Sequence, residues 1–440
     1  RSIPSVVDGL KPAQRKVLYA CFKRRLNDEI KLAQLAGYVG EHTSYHHSES
    51  SLHSTIINMA QNFVGSNNVP YLMPLGQFGT RLEGGSDHAS PRYIFTKLHP
   101  LTRCLFMEAD EPLLRYLEDD GFPIEPAHYV PIIPTVLVNG ASGIGTGWAT
   151  SVPSYNPHDI ISNVLRLLDG EEMQPMLPFF SNFLGEVAEA KDGVVEVRGV
   201  VEDAPGHALR IRELPVGKWT NRYKEFLEDL VTKKSKASWQ VKSFSSNHTE
   251  AVVDFTVKLG GEKSLAKVKK LGPHSALKLS TTIPLSNMHL FDVNGTIKKY
   301  ESPLEIIEDF YGLRLEYYGK RKAHTEKRLG HDLDVLDNKY RFCEGVANGT
   351  LQVVNKPKAE VVRQLQEQGL RIHATGASAE SYDYLLNTSL MSLTAERLQK
   401  LAAELAAKKE ELQTVQATTP EAWWKKDLLA LSAELRKHNL

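Results

Sequence analysis

The chain has 440 residues, enough for about three domains at the usual ~100–200 residues each, and its 53 Lys+Arg balance 53 Asp+Glu. A net charge of zero gives a polyanion no global attraction, so any nucleic-acid surface must come from local asymmetry; residues 1–100 carry eleven Lys/Arg against seven Asp/Glu, a net +4. Three isolated cysteines, Cys21, Cys104 and Cys343, form no CxxC; they argue against a disulfide framework or a zinc site and fit a reducing compartment.

The sequence opens at Arg1 without Met and without a signal-peptide pattern, and reads as the inside of a longer polypeptide. Pro12 suits a helix first turn, and 14–26 follows with Val17, Leu18, Cys21 and Phe22 on one face. A short helix is expected over 31–38, stopping near Gly40. After a polar turn with His46 and His47, a longer helix is expected over 49–63, with Leu52, Ile56, Met59 and Phe63 on its apolar side. Two helices, a turn and a Gly-rich hairpin make a winged helix-turn-helix, which would set the second helix against a DNA groove; an ordinary helical domain is the alternative.

Residues 84–85 and 90–91 read as turns, and 92–98 alternates as a strand, so Tyr93 sits where a loop enters a strand. Tyrosine there is usually half-buried packing. A phenol titrates near ~10 and is a poor nucleophile unless a cation, metal or base favours its anion. Arg92 beside it supplies a permanent cation with a fork suited to phosphate.

The most apolar run, 129–149, is broken by Pro131, Pro134, Asn139 and several glycines, so a membrane span is not expected and a soluble protein is. Within it Thr135–Val138 reads as a buried strand. Further strands are expected over 194–201, 208–214, 251–257 and 277–282, helices over 219–232 and 262–271, and Asn294-Gly295 signals a two-residue hairpin. From Ser302-Pro303 the chain turns helical, with Leu329, Leu333, Leu336, Tyr340 and Cys343, then Leu398, Leu401, Leu405, Leu412 and Val415, at heptad spacing. Two long helices around a segment of about 346–393 suggest an antiparallel coiled coil with a globular tip, or a plain helical bundle. The fold class is α+β, divided as 1–130, a winged-helix domain; 131–300, a mixed α/β domain; and 301–440, the coiled coil.

Several chemistries have no support. GIGTG (143–147) has the wrong spacing for a dinucleotide fingerprint, and there is no P-loop. His46-His47 lack a third ligand at metal spacing, and Asp119-Asp120 is a poor carboxylate cluster.

RSIPSVVDGLKPAQRK (1–16), YHHSES (45–50), GQFGTR (76–81), SPRYIFT (90–96) and NGASGIGTGW (139–148) together closely resemble the cleavage core of eukaryotic type IIA DNA topoisomerases, over most of the chain. The resemblance implies that Tyr93 attacks a DNA phosphodiester and holds the 5′ end, with Arg92 stabilising charge and His47 supporting cleavage. It also implies phosphate contacts from Arg1 and Lys11, and an Ile144 wedge between base pairs. ELPVGKWT (213–220) resembles the family's tower domain, and the coiled coil its exit gate, where two chains meet as a homodimer. Ser48 and Ser86 stand where relatives carry glycine and, in many cases, lysine. The implied partners are double-stranded DNA and the metal-binding and ATPase regions of the same polypeptide, which would bind Mg²⁺ and ATP outside this chain; the implied location is the nucleus, or an organelle. Rival readings are a non-catalytic architectural DNA-binding protein and a gyrase-A-like subunit.

Overall fold

A computed structural model describes residues 2–191, 193–232, 239–373, 381–389 and 393–440. It separates into two compact units, Arg1–Tyr317 with Trp424–Leu440, and Tyr318–Trp423.

The first unit opens with three helices. α1 (Pro12–Arg24) starts where Pro12 needs no N–H partner and the Gln14 side chain accepts the Lys11 N–H at 2.9 Å. Its face of Val17, Leu18, Cys21 and Phe22 is buried, and left-handed Arg25 (φ 51°) ends it. α2 (Leu32–Thr43) runs past the expected stop at Gly40. Val39 and Thr43 are buried, and that packing outweighs the ~1 kcal/mol cost of a helical glycine. α3 (Glu49–Ala60) begins at Ser48, whose hydroxyl accepts the Ser51 N–H at 3.3 Å. It buries Leu52, Ile56 and Met59 but stops before Phe63, which instead packs edge-on to Trp219 at 5.9 Å.

Three local expectations are corrected. The strand expected over 92–98 shrinks to β2 (Phe95–Thr96), paired antiparallel with β1 (Ile30–Lys31), and Tyr93 lies in a turn. The Gly-rich segment after α3 is a run of turns closed at its base by antiparallel bridges Leu75↔Phe95 and Leu72↔Leu98. The regular hairpin comes later, as β3 (Tyr116–Asp119) and β4 (Phe122–Pro126). Finally, Thr135–Val138 is a short buried helix, Thr135–Asn139, because a four-residue apolar run fits a buried helix turn as well as a strand, and Pro134 sets its entry.

The rest of this unit mixes sheets with helices. Val241–Ser246, Phe255–Leu259, Ala208–Glu213 and Val200–Ala204 form one four-stranded antiparallel sheet; Ser280–Pro284, Val194–Arg198 and Glu186–Lys191 form a three-stranded one. Helices Thr220–Thr232 and Glu262–Leu271 share a core with Ile211, Phe255 and Val257. The hairpin expected at Asn294-Gly295 joins Met288–Phe291 to Ile297–Tyr300 through a longer turn, in which Asp292 N–H donates to the Thr296 carbonyl at 2.8 Å. The C-terminal helix returns to this unit: Trp424 is fully buried, donates Nε1–H to the Ile132 carbonyl at 2.9 Å and stacks on Tyr311.

The second unit is an antiparallel helix pair with a tip. Helix Pro303–Ala347 enters it at Tyr318 and faces helix Ala395–Ala417. Lys322 Nζ donates to the carbonyls of Gln416 (2.9 Å) and Thr418 (2.8 Å) at one end. At the other, Phe342 and Cys343 share a core with Leu401 and with the tip residues Leu351, Leu365 and Leu385. Opposite ends thus meet, as expected of two long helices joined through a small globular segment. No described helix is long and apolar enough to cross a membrane.

Candidate functional site

Tyr93 projects from a backbone pinned on both sides. The residue is 71% exposed, and its N–H donates to the Ser90 carbonyl at 2.9 Å. Before it, the Pro91 carbonyl accepts from Ala33 N–H (3.3 Å); after it, the Ile94 carbonyl accepts from Leu32 N–H (3.0 Å). The opening turn of α2 thus spends its otherwise unpaired donors on the tyrosine's neighbours. Ile94 is buried against Gly76, where a Cβ would lie 2.9 Å from the isoleucine Cγ2. The Arg92 guanidinium lies 5.8 Å from the Tyr93 ring centre, within cation–π range, and is itself exposed.

The turns leading to Tyr93 are equally constrained. Thr80 donates through N–H (2.8 Å) and hydroxyl (2.5 Å) to the Asp87 carboxylate, and Gly85 N–H to the Thr80 carbonyl (2.8 Å). Gln61, at the end of α3, donates Nε2–H to the carbonyls of Phe78 (2.9 Å) and Gly85 (3.3 Å). Buried Arg81 forks onto the buried carboxylate of Glu213.

His47 and Lys11 belong to a separate recess. Lys11, Lys16, Tyr45, His46, His47 and Ser51 line an open cavity of about 610 Å³ between the start of α1 and the α2–α3 turn, with Glu118 and Asp119 of β3 on its rim. His47 meets the Tyr45 ring edge-on at 5.4 Å, and His46 Nε2 stands 3.8 Å from Asp119. Tyr93 and Arg92 do not line this cavity. Lys11 Nζ donates to the Ser142 carbonyl at 2.7 Å, and burial pulls its pKa below the usual lysine value. That bond ties the start of α1 to the hairpin Ala141–Ile144 with Ala149–Val152. Ile144 stands 87% exposed on this hairpin, beside a half-exposed Trp148. Gly143 permits Ser2 to back it, since a Cβ there would lie 2.1 Å from the Ser2 carbonyl oxygen. Arg1 lies outside the described residues.

Two features escape a search for charged motifs. The open face of α3 carries Ser50, Ser54 and Asn58, at i, i+4 and i+8: uncharged hydroxyls and an amide, suited to phosphate or base edges. The spacing that revealed the apolar face contains this one too, read on its other side. The second is the Arg81–Glu213 pair, which no spacing announces. Among the described residues no three His, Cys, Asp or Glu side chains come together to hold a metal ion. The donor set therefore does not fit a metal centre.

Three packed helices with a β-hairpin, an open polar helix face and an α/β region continuing into a helical arm define a winged helix-turn-helix protein of the multi-domain kind. A family model for the A subunit of DNA gyrase/topoisomerase IV matches residues 1–429, and the chain belongs to that family. It is 43% identical to DNA topoisomerase 2-alpha of Rattus norvegicus over 99% of its own length and 30% of the relative's. To DNA topoisomerase 2 of Arabidopsis thaliana it is 44% identical, over 100% and 32%. The crystal structure of the Plasmodium falciparum topoisomerase II DNA-binding, cleavage and re-ligation domain matches with a TM-score of 0.91 and 40% identity, covering 100% of this chain and 62% of that one. The motif resemblance to the eukaryotic type II enzymes is borne out, and the chain spans about a third of the length of these curated relatives.

Proposed function

We propose that this chain is the DNA-cleavage core of a eukaryotic-type topoisomerase II, divided as winged-helix (1–130), tower (131–300) and coiled-coil exit-gate (301–440) parts. The observation that carries the reading is Tyr93: an exposed phenol on an over-determined turn, beside an exposed arginine. A side chain this exposed does not need so fixed a backbone for packing, whereas a nucleophile does. In the reaction, Tyr93 Oη bonds to phosphorus of a duplex strand and the P–O3′ bond breaks. The phenol's proton ends on the leaving 3′-oxygen, and the reverse transfer reseals the strand. One phosphodiester replaces another, so resealing needs no external energy. Arg92 stabilises charge on the phosphoryl oxygens as a preorganised cation. His47, Lys11 and Arg1 contact the neighbouring phosphates, and Ile144 is the wedge that kinks the duplex. Two chains act together as a homodimer in the nucleus, with Mg²⁺ and ATP bound by metal-binding and ATPase regions of the same polypeptide outside this segment.

The isolated 440-residue chain is expected to retain duplex DNA, with affinity falling steeply as salt rises through counterion release. It is expected to form almost no covalent adduct on denaturation until the metal-binding region is supplied. Robust Mg²⁺-dependent cleavage by the chain alone overturns the division of labour; no adduct under any condition favours the architectural rival.

Ile144→Ala is expected to reduce the DNA bend and slow adduct formation, since the unstacking of one base step by the wedge is lost. With the residue 87% exposed, the melting temperature should move by only about 1–2 °C. Fluorescence-based bend measurement and thermal melting check the two halves. A large stability loss with the bend intact returns Ile144 to a packing role.

A further inference from the structure

The loop that presents Tyr93 is gripped by the sheet region more than a hundred residues downstream, as well as by α3. Arg81 donates through both terminal guanidinium nitrogens to Glu213, and each residue is less than a twentieth exposed. Glu213 is itself fixed, because it also accepts the backbone N–H groups of Leu184 (3.3 Å) and Leu214 (2.8 Å). A second grip follows a few residues after Arg81: Gly84 lies flush against the Trp219 indole, and a Cβ there would sit 2.3 Å from the ring. The helix Thr220–Thr232 then begins by donating Thr220 N–H to the Arg81 carbonyl (3.2 Å) and Asn221 N–H to the Leu82 carbonyl (3.1 Å).

A surface loop with only a solvated role needs none of this. A buried ion pair gains little stability over apolar packing of the same volume, because both charges must leave water. What such a pair with a rigid fork does supply is one geometry. The Thr80–Asp87 bonds and the close approach of Gly79 to Gly85 make the gripped segment a single knot, and Ala89 N–H, bonded to the Gln77 carbonyl at 2.9 Å, ties that knot to the turn carrying Tyr93. Hydrogen-bonded backbone thus connects the gripped segment to the turn that carries the tyrosine.

We infer that Arg81, Glu213 and Trp219 are positioning residues for the Tyr93 nucleophile, so that the sheet region sets the geometry of strand transfer as well as supporting the fold. The inference rests on the reading of Tyr93 given above. None of the three touches the reacting atoms.

The test uses the intact polypeptide with Arg81→Lys, which keeps the charge and loses the fork, and Trp219→Phe, which keeps a ring and loses part of the contact, the latter as the milder variant should the former fold poorly. Single-turnover adduct formation and resealing are timed on one duplex, beside its binding constant and the thermal melt. A displaced nucleophile raises the barrier from both sides. Both rate constants are expected to fall about tenfold or more, while the equilibrium fraction of adduct and the DNA affinity stay within about twofold. Wild-type rates in both variants overturn the inference. So does a reduced adduct amplitude with unchanged rates in the molecules that react, which marks a loss of folded protein. Tyr93→Phe run alongside separates the two levels: adduct persisting in that variant sinks the reading of Tyr93 itself.

Discussion

Replacing Tyr93 with phenylalanine is expected to abolish the covalent protein–DNA adduct and leave duplex binding within about twofold. The substitution removes one oxygen. If that oxygen is the attacking atom, no residual route exists, because neither Arg92 nor His47 can form the same ester in its place. Binding survives because the phosphate contacts proposed for Lys11 and Arg1 and the polar face of α3 are untouched, and such contacts dominate affinity. Stability survives too: a 71%-exposed residue without its hydroxyl changes folding free energy by no more than about 0.5 kcal/mol. The measurement is a denaturing adduct assay on nicked and intact duplex with the metal-binding region present. Adduct at the wild-type level would falsify the assignment of Tyr93.

What the sequence disclosed depended on whether a local rule was enough. α1 was legible because Pro12 and the spacing of Val17, Leu18, Cys21 and Phe22 agree, and the structure buries that same face. The antiparallel arm was legible because two long helical stretches flank one short globular segment, so the chain must turn back on itself. Short apolar runs were not: Thr135–Val138 holds too few residues for periodicity to choose between strand and helix, and Gly40 continues a helix that propensity alone would end there. At the candidate site, the motif around Tyr93 could be read directly, but its surroundings could not. A strand was expected because Tyr93, Ile94 and Phe95 favour one, whereas Ile94 alone turns inward and Tyr93 is left on a turn that α2 holds. The pairing of Arg81 with Glu213 and of Lys11 with the Ser142 carbonyl joins residues more than a hundred positions apart. Tertiary folding creates those contacts, and no window of sequence contains them.

A large stability effect is expected at Asp8, which joins near neighbours in sequence to segments more than a hundred residues away. This carboxylate is fully buried and accepts four bonds: Arg15 Nε (2.6 Å) and Nη2 (2.9 Å), Leu10 N–H (3.1 Å) and Tyr129 N–H (3.1 Å). Its own carbonyl accepts the Thr135 hydroxyl at 2.7 Å. The next residue, Gly9 (φ +63°), lets the backbone pass so close to Val136 that a Cβ would lie 2.5 Å from the Val136 nitrogen. Asp8 therefore fastens three segments at the point where Lys11 and α1 begin. Among the described residues, Asp8→Ala leaves a buried guanidinium with only the Leu10 carbonyl (3.2 Å) to accept from it, and two backbone N–H groups without their acceptor. Breaking a buried pair from one side costs about 3–5 kcal/mol, so the melting temperature of the first unit, a large one, should fall by roughly 5 °C. The double substitution Asp8→Leu with Arg15→Met should recover part of that loss, because two apolar side chains leave no charge stranded. Lys11 stands three residues from Asp8, so DNA affinity should drop in the single variant even below its melting point. Calorimetry and a binding titration at about 25 °C check both, and a single variant that melts within about 1 °C of wild type would show that the Asp8 network adds little stability.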